Sequence, residues 1–219
     1  MAIELFMISG SPFAWRVLLA LELKGLPYET RVLQVSKDEQ KAPAFLAINP
    51  RGRVPALRDG ETVVCESLAI LAYLDRKYPT TPLFGATPAE AARVWQTALE
   101  AVSDLDRPTE DYIVPLYFGR ATEEAAKIRA AVPALRAELA GLDATLRDRT
   151  WLVGNRVTAA DVVIYPMLKS VERAAGKPGA DAFGLGFVPV ADRYRSLARW
   201  MRRIEALPGY ERTYPPHWR

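Results

Sequence analysis

Two pairs of residues in this chain have types and spacing that could do chemistry. One is Ser9 and Ser11, set either side of a glycine in SGSPFAWRV (9–17). The other is the adjacent acid and hydroxyl, Glu66 and Ser67, that open ESLAILAYLDRKY (66–78). A serine directly before a proline is a helix start: its oxygen accepts from a first-turn amide, and Pro12 stands where no donor is needed. Ser11 therefore reads first as an N-cap, and a cap at an exposed helix end can still hold an anion. At the second pair, free helix-start amides and the Ser67 hydroxyl suit a carboxylate, while Glu66 suits an ammonium. Together they suit the head group of an amino acid.

The elements that must position these pairs follow from periodicity. Ile3, Leu5 and Met7 alternate as in a strand, and Phe13, Val17 and Leu21 recur as on one helix face, so Ser9–Ser11 is a strand-to-helix turn. Gly25 ends that helix. Residues 1–78 then alternate YETRVLQV, a short KAPAFLAI helical turn, VPAL, TVV and the 66–78 helix, which makes an α/β unit with at least one crossover. The stretch 79–88, PTTPLFGATP, has turn composition and reads as a linker. From 89 to 219 the pattern is helical, over about 89–118, 123–149, 158–174 and 190–207, with Pro108, Pro115 and Pro133 expected to kink or break two of these helices. Within it, Thr158 and Asp161 form a capping box ahead of an apolar run, a structural assignment for both.

Composition narrows the chemistry. The chain has 219 residues, 50% of them hydrophobic and 25% charged, enough for a sizeable core. One cysteine, Cys65, and one histidine, His217, provide neither a disulfide framework nor a metal-ligand cluster, so no metal is expected. The start lacks a basic region and carries Glu4 in its short apolar run, so neither a secretory signal nor a membrane span is expected, and the expected location is cytoplasmic. A net charge of +3 suits a small acidic ligand as readily as nucleic acid. The most basic stretch, 193–203, carries Leu197, Trp200 and Met201 on one face and its arginines on the other, so it reads as an amphipathic helix with no nucleic-acid partner.

The order strand, Ser-Pro, helix, KAPAF, NPRGRVPAL (49–57), then ESLAI resembles the glutathione transferase family. GNRVTAADVVIYP and the closing SLARWMRRIEALPGY extend the resemblance less sharply over the second half. The resemblance implies an α/β thioredoxin-like N-terminal domain (1–78) and an all-α C-terminal domain (89–219). It also implies glutathione as co-substrate and a homodimer. It places Ser11 against the glutathione sulfur as the catalytic residue and Lys41 near the glycyl carboxylate; Ser9, by its own position, either supplies a second donor or ends the strand. Val54 would pair with the cysteinyl backbone, ahead of a cis Pro55, and Glu66 and Ser67 would hold the γ-glutamyl head. The residues alone do not make Pro55 cis, because only about one X-Pro bond in twenty is. Phe13, Tyr112 and Tyr117 are nominated for the electrophile pocket, and Asp104 of a second copy for the ammonium.

A free thiol has a pKa of about 8.5 and is only a few per cent nucleophilic at neutral pH. Lowering it by about two units takes about 2.7 kcal/mol, within reach of one hydroxyl donor and helix-end amides. Departures from the family's classes limit the reading. Phe6 and Met7 stand where tyrosine-based classes carry their tyrosine. Ser11 stands where omega-like members have cysteine, and serine cannot form a mixed disulfide. The zeta-like isomerases carry a Ser-Ser-Cys run, against Ser11-Pro12-Phe13 here. The expectation is a transferase acting on a small apolar electrophile. A glutathione-dependent isomerase or dehalogenase, or a binding module resembling the stringent starvation proteins, is the alternative.

Overall fold

The computed structural model describes residues 2–219, which fall into two compact units, one of the residues up to Phe84 together with Leu207–Arg219, the other Gly85–Ala206.

In the first unit, β1 (Ile3–Met7), α1 (Pro12–Leu23) and β2 (Tyr28–Val32) make the expected parallel crossover. A short α2 (Pro43–Leu46) follows, then β3 (Ala56–Asp59), β4 (Thr62–Cys65) and α3 (Ser67–Lys77). The sheet order is β2-β1-β3-β4, with β1 parallel to β2 and β3 antiparallel to both neighbours. Ile3, Leu5 and Met7 are buried with Val17 and Leu21 of α1 and Ile70, Leu71 and Leu74 of α3. On α2, Phe45 meets Phe6 of β1 at 6.0 Å between ring centroids. Lys24, just past α1, donates to Asp75 Oδ1 (2.9 Å) and the carbonyls of Tyr78 (2.8 Å) and Thr81 (2.7 Å), which satisfies a side chain only 1% exposed. Asp75 also accepts from the Leu83 amide at 2.6 Å, so the start of the expected linker is fastened to this unit.

Residues 207–219, expected in the helical domain, pack with the first unit instead. The cause lies in their aromatic content. Trp15 of α1 is 1% exposed and meets Tyr214 and Trp218 edge-on at 5.7 and 5.5 Å. Its indole donates to Thr213 Oγ1 at 2.8 Å. At the far end of α1, Arg212 Nε lies 3.0 Å from each oxygen of Glu22, which also accepts from the Tyr28 hydroxyl at 2.8 Å. The Arg212 hydrogen bond holds the Glu22 carboxyl below its usual range, against the upward push of burial. A depressed carboxyl stabilises fully above its unfolded pKa of about 4.3 and loses that contribution as pH falls through the folded value. Acid titration below about pH 4 should therefore loosen the tail, read in tryptophan emission. Glu22→Gln should remove that step, and an identical acid transition in the variant would refute the assignment.

The second unit contains α4 (Pro88–Glu100), α5 (Asp106–Tyr117), α6 (Ala125–Thr145), α7 (Ala159–Ala175), α8 (Val190–Arg193) and α9 (Arg195–Glu205). Pro115 lies inside α5 and Pro133 inside α6 without interrupting either, whereas Pro108 stands in the first turn of α5, just after the expected helix 89–118 changes geometry. A π turn, Ala101–Leu105, joins α4 to α5, and there the Asp106 amide reaches the Ala101 carbonyl. Pro108 crowds the carbonyl four residues back, on Asp104, and the wider turn accommodates it.

Buried along nearly its whole length, α7 begins at the expected capping box. The carboxylate of Asp161, 0% exposed, gathers four donors. Oδ1 accepts from the Leu152 amide (3.0 Å) and Trp200 Nε1 (2.8 Å), and Oδ2 from the Thr158 amide (2.9 Å) and Oγ1 (3.0 Å). The pair thus caps a helix and ties it to the 152 loop and to α9. No helix among the described residues is long and apolar enough to cross a membrane.

Candidate functional site

The expected site residues converge at one end of the sheet because of strand register. Phe6 pairs with Ala56, and Ala56 with Cys65. The turn after β1, the residues before β3 and the residues after β4 are therefore neighbours, and they carry Ser9–Ser11, Val54–Pro55 and Glu66–Ser67. Lys41 joins them through Gly52, whose left-handed backbone (φ +60°) has no room for a Cβ, which would stand 2.9 Å from the Gln40 carbonyl.

Ser11 caps α1 in extended conformation, with Pro12 in the first helical turn, and its Oγ accepts from the Ala14 amide at 3.4 Å. The oxygen faces the helix amides, which leaves the hydroxyl proton for a ligand at the positive end of α1. Ser9 Oγ lies 3.1 Å from Nδ1 of His217, carried on the returned tail. Between them Gly10 is left-handed (φ +84°), and a Cβ there would meet the His217 ring at 3.1 Å and Trp218 Nε1 at 3.2 Å.

The Val54–Pro55 peptide is cis, and sheet pairing of β3 begins only at Ala56, so the Val54 backbone stands outside the ladder. Glu66, exposed at the start of α3, has φ 70° and ψ 121°, a conformation a side-chain-bearing residue adopts at a cost of about 1–3 kcal/mol. Ser67 is buried, and its Oγ accepts from Arg16 Nη1 at 3.4 Å. Lys41 is 71% exposed and pairs with Asp38 at 2.9 Å, on a side chain long enough to turn toward an anion.

Arg16 is a residue the sequence reading missed. It is 1% exposed in the middle of α1, reaches Ser67, and stacks its guanidinium 4.9 Å from the Phe13 ring centroid. The signal was a lone cation inside the apolar run FAWRVLLAL. Its charge links the N-terminal ends of α1 and α3.

Of the residues nominated for the electrophile, Phe13 is half-buried on α1 beneath Arg16. Tyr112 is fully buried within the helical unit, its hydroxyl without a hydrogen-bond partner and its pKa pushed up to about 12 by burial. Tyr117 donates its hydroxyl to the Ser170 carbonyl at 2.7 Å. Neither tyrosine stands as an open pocket wall in its own unit. Asp104 is exposed in the π turn. The Cys65 thiol is half-buried and pushed up in pKa, by burial first and Glu66 second, which opposes thiolate formation. Among the described residues, no three His, Cys, Asp or Glu side chains gather as metal ligands.

Comparison with known proteins bears on the family and the fold. Residues 10–77 match the model for the glutathione S-transferase N-terminal domain, and residues 106–208 that for its C-terminal domain. The chain is 34% identical to the zeta-class glutathione S-transferase of Euphorbia esula, over 76% of this chain and 74% of that protein. It is 32% identical to the maleylacetoacetate isomerase of Pseudomonas aeruginosa, over 97% and 95%. A glutathione transferase family member from Pseudomonas fluorescens, solved with two glutathione molecules bound, superposes with a TM-score of 0.83 over 98% of this chain and 92% of that one. At 24% identity that likeness bears on the fold alone.

Proposed function

Because the chain belongs to the glutathione S-transferase family, with its thioredoxin-like and all-helical domains, we propose that it activates the thiol of glutathione for attack on a small apolar electrophile. The observation that carries this reading is Ser11: a hydroxyl capping α1, its oxygen accepting from the Ala14 amide and its one donor left uncommitted by that bond, at the sheet end where Val54, Glu66 and Ser67 meet. In this reading the γ-glutamyl carboxylate lies on the α3 N-terminus and Ser67, and its ammonium on Glu66. The cysteinyl backbone pairs with Val54, and the glycyl carboxylate draws Lys41 from Asp38. The sulfur then sits over the N-terminus of α1, where Ser11 and the helix-end amides favour thiolate over thiol. The rest of catalysis is proximity, with no covalent enzyme intermediate.

The titration of glutathione into the protein tests the reading. Wild type should bind at micromolar to low millimolar concentration. Ser67→Ala should weaken binding about tenfold, the loss of one hydrogen bond to a charged group. A wild type that does not bind at millimolar glutathione overturns the reading and turns attention to a protein-binding role.

Isomerisation is the second reading, favoured by the 32% identity to maleylacetoacetate isomerase over nearly the full chain. The same thiolate would add to and leave from a cis double bond, and assay of maleylacetoacetate against an aromatic halide separates the two. The functional form is proposed to be a homodimer. Leu99 (50% exposed) and Val102 (38%) leave apolar surface on the helical unit for a second copy to cover, and sedimentation equilibrium measures it.

A further inference from the structure

His217 is the one histidine in the chain, and the glutathione chemistry proposed for Ser11 leaves it idle. It stands in the turn Pro216–Trp218 of the returned tail, exposed to solvent, with Nδ1 3.1 Å from Ser9 Oγ. Two features hold the ring there. Trp218, next in the chain, is seated edge-on to Trp15 at 5.5 Å and to Tyr214 at 6.1 Å. Gly10, left-handed at φ +84°, gives the ring its space, since a Cβ there would stand 3.1 Å from a ring carbon and 3.2 Å from Nε2. The imidazole is thus tied to the turn that carries Ser11, one hydroxyl away from it. That turn brings no ionisable side chain of its own. The elements around the ring bring Arg16 and Glu22 of α1, and Glu211, Arg212, Tyr214 and Arg219 of the tail, of which Glu22 pairs with Arg212 and Glu211 with Arg219.

We infer that Ser9 and His217 form the exit route for the thiol proton, Ser9 relaying it from the sulfur and His217 accepting it. The inference rests on the glutathione reading of Ser11. A hydroxyl both donates and accepts, and a neutral imidazole with its proton on Nε2 accepts at Nδ1. The S–H bond breaks and its proton bonds to Ser9 Oγ, while the proton Ser9 carried passes to His217 Nδ1. The electron pair stays on sulfur, which leaves a thiolate beside an imidazolium. The exposed ring then loses one proton to water and is neutral again, so the net change is one proton released for each thiolate formed. An ordinary imidazole titrates at about 6.5, and a thiol lowered by about two units from 8.5 reaches the same value, so the transfer runs between matched groups. The two hydroxyls of the turn then have separate tasks: Ser11 stabilises the thiolate, and Ser9 carries off its proton.

Rapid mixing with glutathione in weak buffer, with phenol red reporting the released proton, tests the route. Wild type should release protons in step with the ultraviolet absorbance of bound thiolate, and S-methylglutathione, which has no thiol proton, should release none. His217→Gln keeps a hydrogen-bonding side chain beside Ser9 and cannot take up a proton. It should slow the release about 10- to 100-fold near neutral pH, the usual weight of a positioned acid or base, with glutathione affinity within about twofold of wild type. Ser9→Ala should slow the release by a similar factor. Imidazole added to the buffer should restore the rate in His217→Gln and leave wild type unchanged, a response that a merely structural contact does not give. Tryptophan emission reports whether the tail stays seated on Trp15; if it shifts in His217→Gln, Ser9→Ala decides, since that change leaves the aromatic contacts of the tail in place. Release within about twofold of wild type in both variants, or a slowed release that imidazole does not restore, overturns the route and leaves the glutathione reading standing. A wild type that binds no glutathione, or binds it without forming thiolate, removes both together.

Discussion

Replacing Ser11 with alanine should lower kcat/KM by up to about 25-fold at pH 7, rising toward a hundredfold below about pH 6, and leave glutathione affinity within a few-fold of wild type. In the proposed reading the hydroxyl favours thiolate over thiol, so its loss moves the bound thiol back toward its free pKa of about 8.5. A loss of about two units in that pKa corresponds to about 2.7 kcal/mol. The sign with pH is fixed: the deficit is largest below the wild-type thiol pKa and shrinks as pH rises above about 8.5, where the thiol ionises unaided. The pH profile of kcat/KM and the ultraviolet absorbance of bound thiolate should move together to higher pH. Ser9→Ala should have the smaller effect, since the Ser9 hydroxyl already meets His217. An unshifted profile in Ser11→Ala would leave the serine as a helix cap and nothing more.

The second large effect is on stability. Asp161→Ala would strip the acceptor from four buried donors: the Leu152 and Thr158 amides, the Thr158 hydroxyl and the Trp200 indole. Each unsatisfied donor costs about 1–3 kcal/mol when water cannot reach it, and partial relaxation brings the expected total to about 3–5 kcal/mol. Urea denaturation should show the midpoint drop. Asp161→Asn should fall between, because its single carbonyl serves one pair of donors while its amide faces the other pair. A loss under about 1 kcal/mol in Asp161→Ala would mean the network contributes little beyond ordinary capping.

The sheet, its crossover and the positions of Ser11, Glu66 and Ser67 were legible because each rests on local rules: alternation, helix caps and charge at helix ends. The same holds for Thr158 and Asp161, whose spacing is the signal. Non-local features were hidden. Periodicity sends cations outward, so Arg16 in an apolar run carried no hint that it joins Ser67. The return of 207–219 depends on Trp15, Tyr214 and Trp218, residues 199 or more positions apart from the first to the others, which no window along the chain can bring together. Tyr112 and Tyr117 had the right composition for a pocket, yet one is core and the other bonds to a neighbouring helix. The three prolines were read by their local penalty, which the π turn and the packing of the helices absorb.

The return of 207–219 also fixes an order of events during synthesis. A ribosome makes the Ser9–Ser11 turn and Trp15 first, then the whole helical unit, and only then the aromatic segment that encloses Trp15 and reaches Ser9 with His217. Until residues 207–219 emerge, the Trp15 indole and the Ser9–Ser11 turn lack the segment that packs against them. A chain stalled before residue 207 would carry Ser11, Val54, Glu66 and Ser67 but leave the Trp15 indole uncovered, an apolar surface of the kind that makes partly made proteins prone to aggregate.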